Sequence, residues 1–152
     1  VAGADVAESR PAPVIIIHSL AHALAALTAA ADVDREIVLA SAPEAGLSAG
    51  PGWFREIVTA ARDAVPAARF SVLLDCGDDT GAAMAAIRAG VEAIVFTGPA
   101  DVATRLAGIA GQIGSRVVID PAEPALDLAT VFFAHPETLR RRCSEILAPV
   151  EG

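Results

Sequence analysis

The sequence contains no lysine and no tyrosine. The first absence excludes a Schiff-base nucleophile, a pyridoxal-phosphate anchor and the lysine of a Walker-type phosphate loop. The second removes a tyrosine general acid. Aromatic residues make up only 4% of the chain, which disfavours a stacking surface and points to alanine-faced helices on aliphatic strands. Two cysteines, Cys76 and Cys143, are too few and too far apart for a disulfide framework, so a reducing cytoplasm is the expected location. No apolar run is long enough to span a bilayer, and residues 1–13 lack the charged start and apolar core of a signal peptide. Neither GxGxxG nor GxxxxGK[ST] occurs, so nucleotide binding has no support. A net charge of −8 argues against nucleic acid or an anionic membrane as partner, because both are bound through cations. The one basic cluster, Arg140-Arg141-Arg142, reads as a solvated helix face.

What is present is an alternation of short β-branched runs with alanine-rich amphipathic segments. After a mixed lead-in over 1–13, a single domain is expected over 14–152. Val14 to Ile17 reads as a strand buried on both faces. Ser19 caps a helix from Leu20 to Ala31. Further strands are expected at Glu36–Ala40, Arg69–Leu74, Val91–Phe96 and Arg116–Asp120, and helices at 53–65, 81–89 and 101–113. Residues 41–52 form a long loop of the kind that acts as a lid. Beyond a proline-interrupted linker, Pro136 to Leu147 forms a terminal amphipathic helix. About five βα units in strict alternation imply an α/β fold with a parallel sheet. Two architectures satisfy that pattern, a partial TIM-barrel-like sheet and an open, flavodoxin-like doubly wound sheet.

Ligand chemistry in parallel sheets gathers beyond the carboxyl ends of the strands. The turn Asp75-Cys76-Gly77-Asp78-Asp79 stands at such an end and offers three carboxylates, for acid/base work or for helix capping. Cys76 is a candidate metal ligand or reactive thiol, although neighbouring carboxylates oppose a thiolate. His18 is a candidate for binding substrate or metal at the end of the first strand. His22, four residues on, would share a helix face with it only if both were helical. Ser41, Thr97 and Gly98 close other strands and are candidate substrate contacts.

Residues 14–98 resemble the first half of a class II, zinc-dependent fructose- or tagatose-bisphosphate aldolase barrel. The resemblance is carried by Pro13-Val14-Ile15-Ile16-Ile17-His18, by Ile37 to Gly46, by Ser48-Ala49-Gly50 with Trp53-Phe54, and most closely by Val72-Leu73-Leu74-Asp75-Cys76-Gly77-Asp78, similar to the family's Leu-Asp-His-Gly-Asp turn. Ala86 to Gly98 continues it. The resemblance implies that Asp75 is the catalytic acid/base and that Cys76 stands where the family has a zinc-binding histidine. The family's other two zinc histidines and its second phosphate loop come from later barrel strands, which this chain does not supply. The expectation is therefore an aldolase-like half barrel that binds a small carbonyl or phosphorylated metabolite, with a divalent metal such as zinc as the implied cofactor, and with proton abstraction or carbon–carbon lysis at Asp75. The alternative is a non-catalytic half barrel that binds or assembles as a homo-oligomer through its open sheet edges.

Overall fold

The computed structural model describes residues 11–149. Most of the lead-in read over 1–13 lies outside the described residues. Its last residue is tied down, since the Pro13 carbonyl accepts the Val38 N–H at 3.0 Å. The elements are β1 (Val14–Ile16), α1 (Leu20–Asp32), β2 (Ile37–Ala40), a short α2 (Ala45–Ser48), α3 (Pro51–Ala64), β3 (Phe70–Asp75), α4 (Thr80–Arg88), β4 (Ala93–Val95), α5 (Ala100–Gln112), β5 (Arg116–Val118), β6 (Leu126–Asp127), a 3-10 turn (Leu128–Val131) and α6 (Pro136–Leu147).

Six strands form one sheet in the order β5-β4-β3-β2-β1-β6, and every pairing is parallel. This order decides between the two expected architectures. A flavodoxin-like sheet reverses direction after its first strand and places helices on both faces. Here β1 to β5 follow one another in chain order, so right-handed crossovers put the helices on one face. The fold is a partial barrel.

Strand alternation divides the two faces. Ile15, Ile17, Ile37, Leu39, Val72, Leu74, Ile94 and Phe96 point into the helix layer and form the core with Leu27, Phe54, Ile87, Leu106, Leu139 and Leu147. Val14, Ile16, Ala40, Leu73, Asp75 and Val95 line a cavity on the concave face. The centre of the helix layer is α1, which packs against both α6 and α3. Ala23, Ala25, Ala26, Ala29 and Ala30 are all buried there, and side chains this small let neighbouring backbones approach closely.

The strand β6 and the 3-10 turn arise within the segment read as a linker. No helix connects β5 to β6, which sit at opposite edges of the sheet. Eight residue steps from Val118 to Leu126 reach at most about 28 Å, whereas five strand spacings alone cover roughly 24 Å along a flat sheet. The link therefore crosses the sheet in a nearly extended conformation. The link runs along the concave side, where Pro121, Ala122 and Pro124 border the cavity and the Ala125 N–H donates to the Val14 carbonyl at 2.8 Å. A two-residue strand carries no readable periodicity, which is why it is absent from the sequence pattern. The long 41–52 loop is also more ordered than a free lid, because α2 and the start of α3 fall within it.

Ala26→Leu should lower unfolding stability by about 1–3 kcal/mol in urea titrations, because a fully buried alanine contact has no room for added methylenes. The same change at exposed Ala21 should be almost neutral.

Candidate functional site

The local structure around Asp75 is built from three chain segments. β3 ends at Asp75, and the chain turns through Gly77, whose φ is +57°. Asp75 Oδ1 accepts the Gly77 N–H at 2.8 Å and the Glu44 N–H at 3.1 Å. Glu44 itself adopts a left-handed φ of 60°, a conformation that costs a non-glycine residue energy. It is held there beside Gly77, where an added Cβ would lie 2.9 Å from Glu44 Cγ. Ser41, 4% exposed, locks the strand end from the other side. Its Oγ accepts the Asp75 N–H at 2.9 Å and donates to the Ala42 carbonyl at 2.9 Å. Asp75 Oδ1 and Ser41 Oγ are thus committed to the backbone, while Asp75 Oδ2 has no hydrogen-bond partner among the described residues.

Ser41 and Asp75 are brought together at one end of the concave cavity, which has a volume of about 180 Å³ and is otherwise apolar. The other predicted site residues do not line it. Thr97 is exposed and uses its N–H on the Gly77 carbonyl at 2.8 Å. Gly98 lies against the Phe96 ring, with which a side chain would collide.

Cys76 follows Asp75 and therefore points the opposite way, into the helix layer, where it is fully buried. A Cβ on Gly46 would stand 2.8 Å from its sulfur, so α2 is seated directly over it. Burial, reinforced by the charges of Asp75 and Asp79, pushes its thiol up to about 11. Cys143 on α6 is raised to about 11 by burial alone. Both sulfurs are protonated at neutral pH, and neither is presented as a nucleophile.

His18 lies just past β1, on the concave-facing alternation of Val14 and Ile16. Its Nε2 is 2.7 Å from Asp127 Oδ1, a partner that the sequence pattern does not signal because Asp127 closes the two-residue β6. Burial opposes ionisation of Asp127, but hydrogen bonds from His18 and the Ala129 N–H outweigh it and hold the carboxyl below its ordinary range. His22 is fully buried in α1. Its Nδ1 accepts the His18 N–H at 3.0 Å and its Nε2 lies 3.0 Å from the Phe132 carbonyl. That pattern requires the neutral tautomer with hydrogen on Nε2, so both ring nitrogens are spent on structure.

Zinc, the cofactor that the resemblance implies, does not fit these residues. His18 offers one ring nitrogen, since Asp127 holds the other, and Cys76 faces away from it across the sheet. No group of three His, Cys, Asp or Glu side chains converges among the described residues. The acidic turn serves capping instead, with Asp79 Oδ1 accepting the Ala82 N–H at 2.7 Å at the start of α4.

No family model matches the chain, and no curated protein matches it. Among solved structures, it is similar to a candidate fructose-1,6-bisphosphate aldolase from Coccidioides immitis, with a TM-score of 0.61 and 18% identity. The likeness is one of fold. The match covers 77% of this chain and 45% of that one, so the protein spans less than half of the structure it resembles. Among the described residues, no helix is long and apolar enough to cross a membrane.

Three outcomes follow from this geometry. Ser41→Ala should cost about 1–3 kcal/mol, because it leaves the Asp75 N–H without its acceptor. Iodoacetamide at mildly alkaline pH should leave native Cys76 and Cys143 unmodified and label both in denaturant, as read by mass spectrometry. Asp127 has a lowered folded-state pKa, so its stabilising contribution is present above the ordinary carboxylate pKa and is lost as pH falls through the depressed value. The stability gap between the native protein and Asp127→Ala should therefore be open at neutral pH and close in acid denaturation series.

Proposed function

We propose that the protein is an aldolase-like half barrel that binds a small carbonyl compound on its concave face and exchanges a proton with it through Asp75. The observation that carries this reading is the disposition of the Asp75 carboxylate. One oxygen is fixed by two backbone N–H groups, the other has no hydrogen-bond partner among the described residues, and the residue lines an apolar cavity. A general base must be oriented and must keep an acceptor available, and this carboxylate meets both conditions.

Two reactions fit a single oriented carboxylate. In the first, Oδ2 removes a proton from the carbon beside the carbonyl, whose electrons pass into an enolate. In the second, Oδ2 takes the hydroxyl proton of a β-hydroxycarbonyl compound. The O–H electron pair becomes the new carbonyl bond, the carbon–carbon bond breaks, and its electrons leave as an enolate that recovers the proton from Asp75. The aldolase-like fold supports the second route by analogy alone.

One observation favours the alternative of a non-catalytic, self-associating half barrel. The sheet ends in two parallel edges, β5 and β6, and Phe133 beyond β6 is 95% exposed. Sedimentation over a wide concentration range tests it, and a strict monomer removes this reading.

Asp75→Asn keeps an oxygen for the two backbone N–H groups but removes the base. It should retain the native melting temperature to within a few degrees while abolishing carbonyl-dependent proton exchange, measured as deuterium uptake into a ketone by NMR. Unchanged uptake would sink the assignment of Asp75.

A further inference from the structure

The sheet register brings a second unpaired acceptor to the level of Asp75. Ile16 pairs with Ala40 and Ala40 with Leu73, and all three line the concave cavity. Two residues further along, a step that keeps the same face of a strand, β1 has led to His18 and β3 to Asp75. Ile17 still donates its N–H to the Ala40 carbonyl at 2.9 Å, so the first strand stays in register up to His18. His18 and Asp75 therefore stand on one row at the cavity mouth, two strand spacings apart, or about 10 Å between Cα atoms.

The His18 ring is held from several sides. Asp127 pairs with Ile16 across β1 and β6 and follows the core-packed Leu126, so strand alternation turns its carboxylate to the concave side, 2.7 Å from His18 Nε2. The His22 and Phe132 rings stand against the imidazole, with centroids at 5.8 and 6.1 Å. Asp127 is held below the usual carboxylate range and can only accept, so in the neutral ring the hydrogen sits on Nε2 and Nδ1 keeps its lone pair. Like Asp75 Oδ2, this Nδ1 has no hydrogen-bond partner among the described residues. No buried side-chain nitrogen or oxygen among them lacks a partner, so both atoms are open at the surface.

We infer that His18 Nδ1 is the second proton acceptor of the concave site, with Asp127 as its positioning residue, and that the ligand is a small dihydroxycarbonyl compound with one hydroxyl on Asp75 and the other on His18. This inference rests on the reading of the concave cavity as the ligand site. A lone acceptor selects one hydroxyl, whereas two acceptors on one row, with the apolar Ile16 and Leu73 beneath them, select a hydroxyl on either side of a carbonyl. The competing account is that the His18–Asp127 contact only ties β6 to β1. That role needs Nε2 alone and gives no use to an oriented, unpartnered Nδ1.

Thermal-shift titration with dihydroxyacetone, and with hydroxyacetone, which lacks the second hydroxyl, tests the pair of acceptors. The native protein should bind dihydroxyacetone about tenfold more tightly, the effect of one hydrogen bond. His18→Gln keeps an amide donor for Asp127 but places no acceptor at Nδ1, so it should melt within a few degrees of the native protein and bind the two compounds equally. Asp127→Ala should melt lower and also lose most of the preference. A lower melting temperature with the preference intact would make Asp127 structural and overturn its positioning role. Equal binding of the two compounds by the native protein, a comparison that needs no variant, or an undiminished preference in His18→Gln, overturns the role of His18 and leaves the ligand-site reading standing. If neither compound shifts the native protein, the ligand-site reading itself falls and the inference with it.

Discussion

A parallel sheet whose strands follow one another in chain order can carry its helices on one face only. The second face must then close on itself, be covered, or stay open to a ligand. In this protein the link from β5 to β6 reaches across that second face in a nearly extended conformation and borders the cavity there. The hydrophobic core therefore lies wholly between the convex face and the helices, and the concave face keeps a small apolar cavity. Stability and the candidate site are carried by alternate residues of the same strands. Leu74 and Ile94 serve the core, whereas Leu73, Asp75 and Val95 serve the cavity.

The same alternation explains why Asp75 and Cys76 have opposite fates. Adjacent residues at a strand end face opposite sides, so a carboxylate directed to the mouth requires its neighbour to enter the core. A small, weakly polar thiol suits that core position beneath Gly46, where the close approach of α2 leaves no room for a larger side chain. Position 76 is thus read through packing rather than metal chemistry.

Much of the fold was legible because long segments carry strong periodicity. The expected span of α6 agrees with the structure residue for residue, and α1, α3, α4 and α5 shift by only a residue or two at their ends. Ser19 and Asp79 act as caps for the reason their residue types suggest. Sheet order was not legible, since a strand–helix repeat is the same string whether the strands wind in one direction or two. The site was legible in part. Asp75 and Ser41 could be placed at strand ends, and the structure brings them to one cavity. The His18–Asp127 pair could not be foreseen, because its residues are 109 positions apart and β6 is too short to show a pattern. Thr97 and Gly98 end the correct strand, but the structure uses them for backbone hydrogen bonding and ring packing.

Charge segregation between the two ends of the barrel is itself a product of the winding. When every helix runs antiparallel to the strand before it, all helix N-termini gather at the rim and all C-termini at the base. Helix dipoles favour acids at the first and bases at the second. Asp79 and Asp101 at helix starts, and Arg62 and Arg88 in last turns, follow that rule. In a barrel that handles phosphorylated substrates, some of those N-termini must be left free, and cations must be brought to the rim against the same preference. Here the preference is followed in part, because α3 and α5 begin at Gly50 and Pro99 with no side-chain cap.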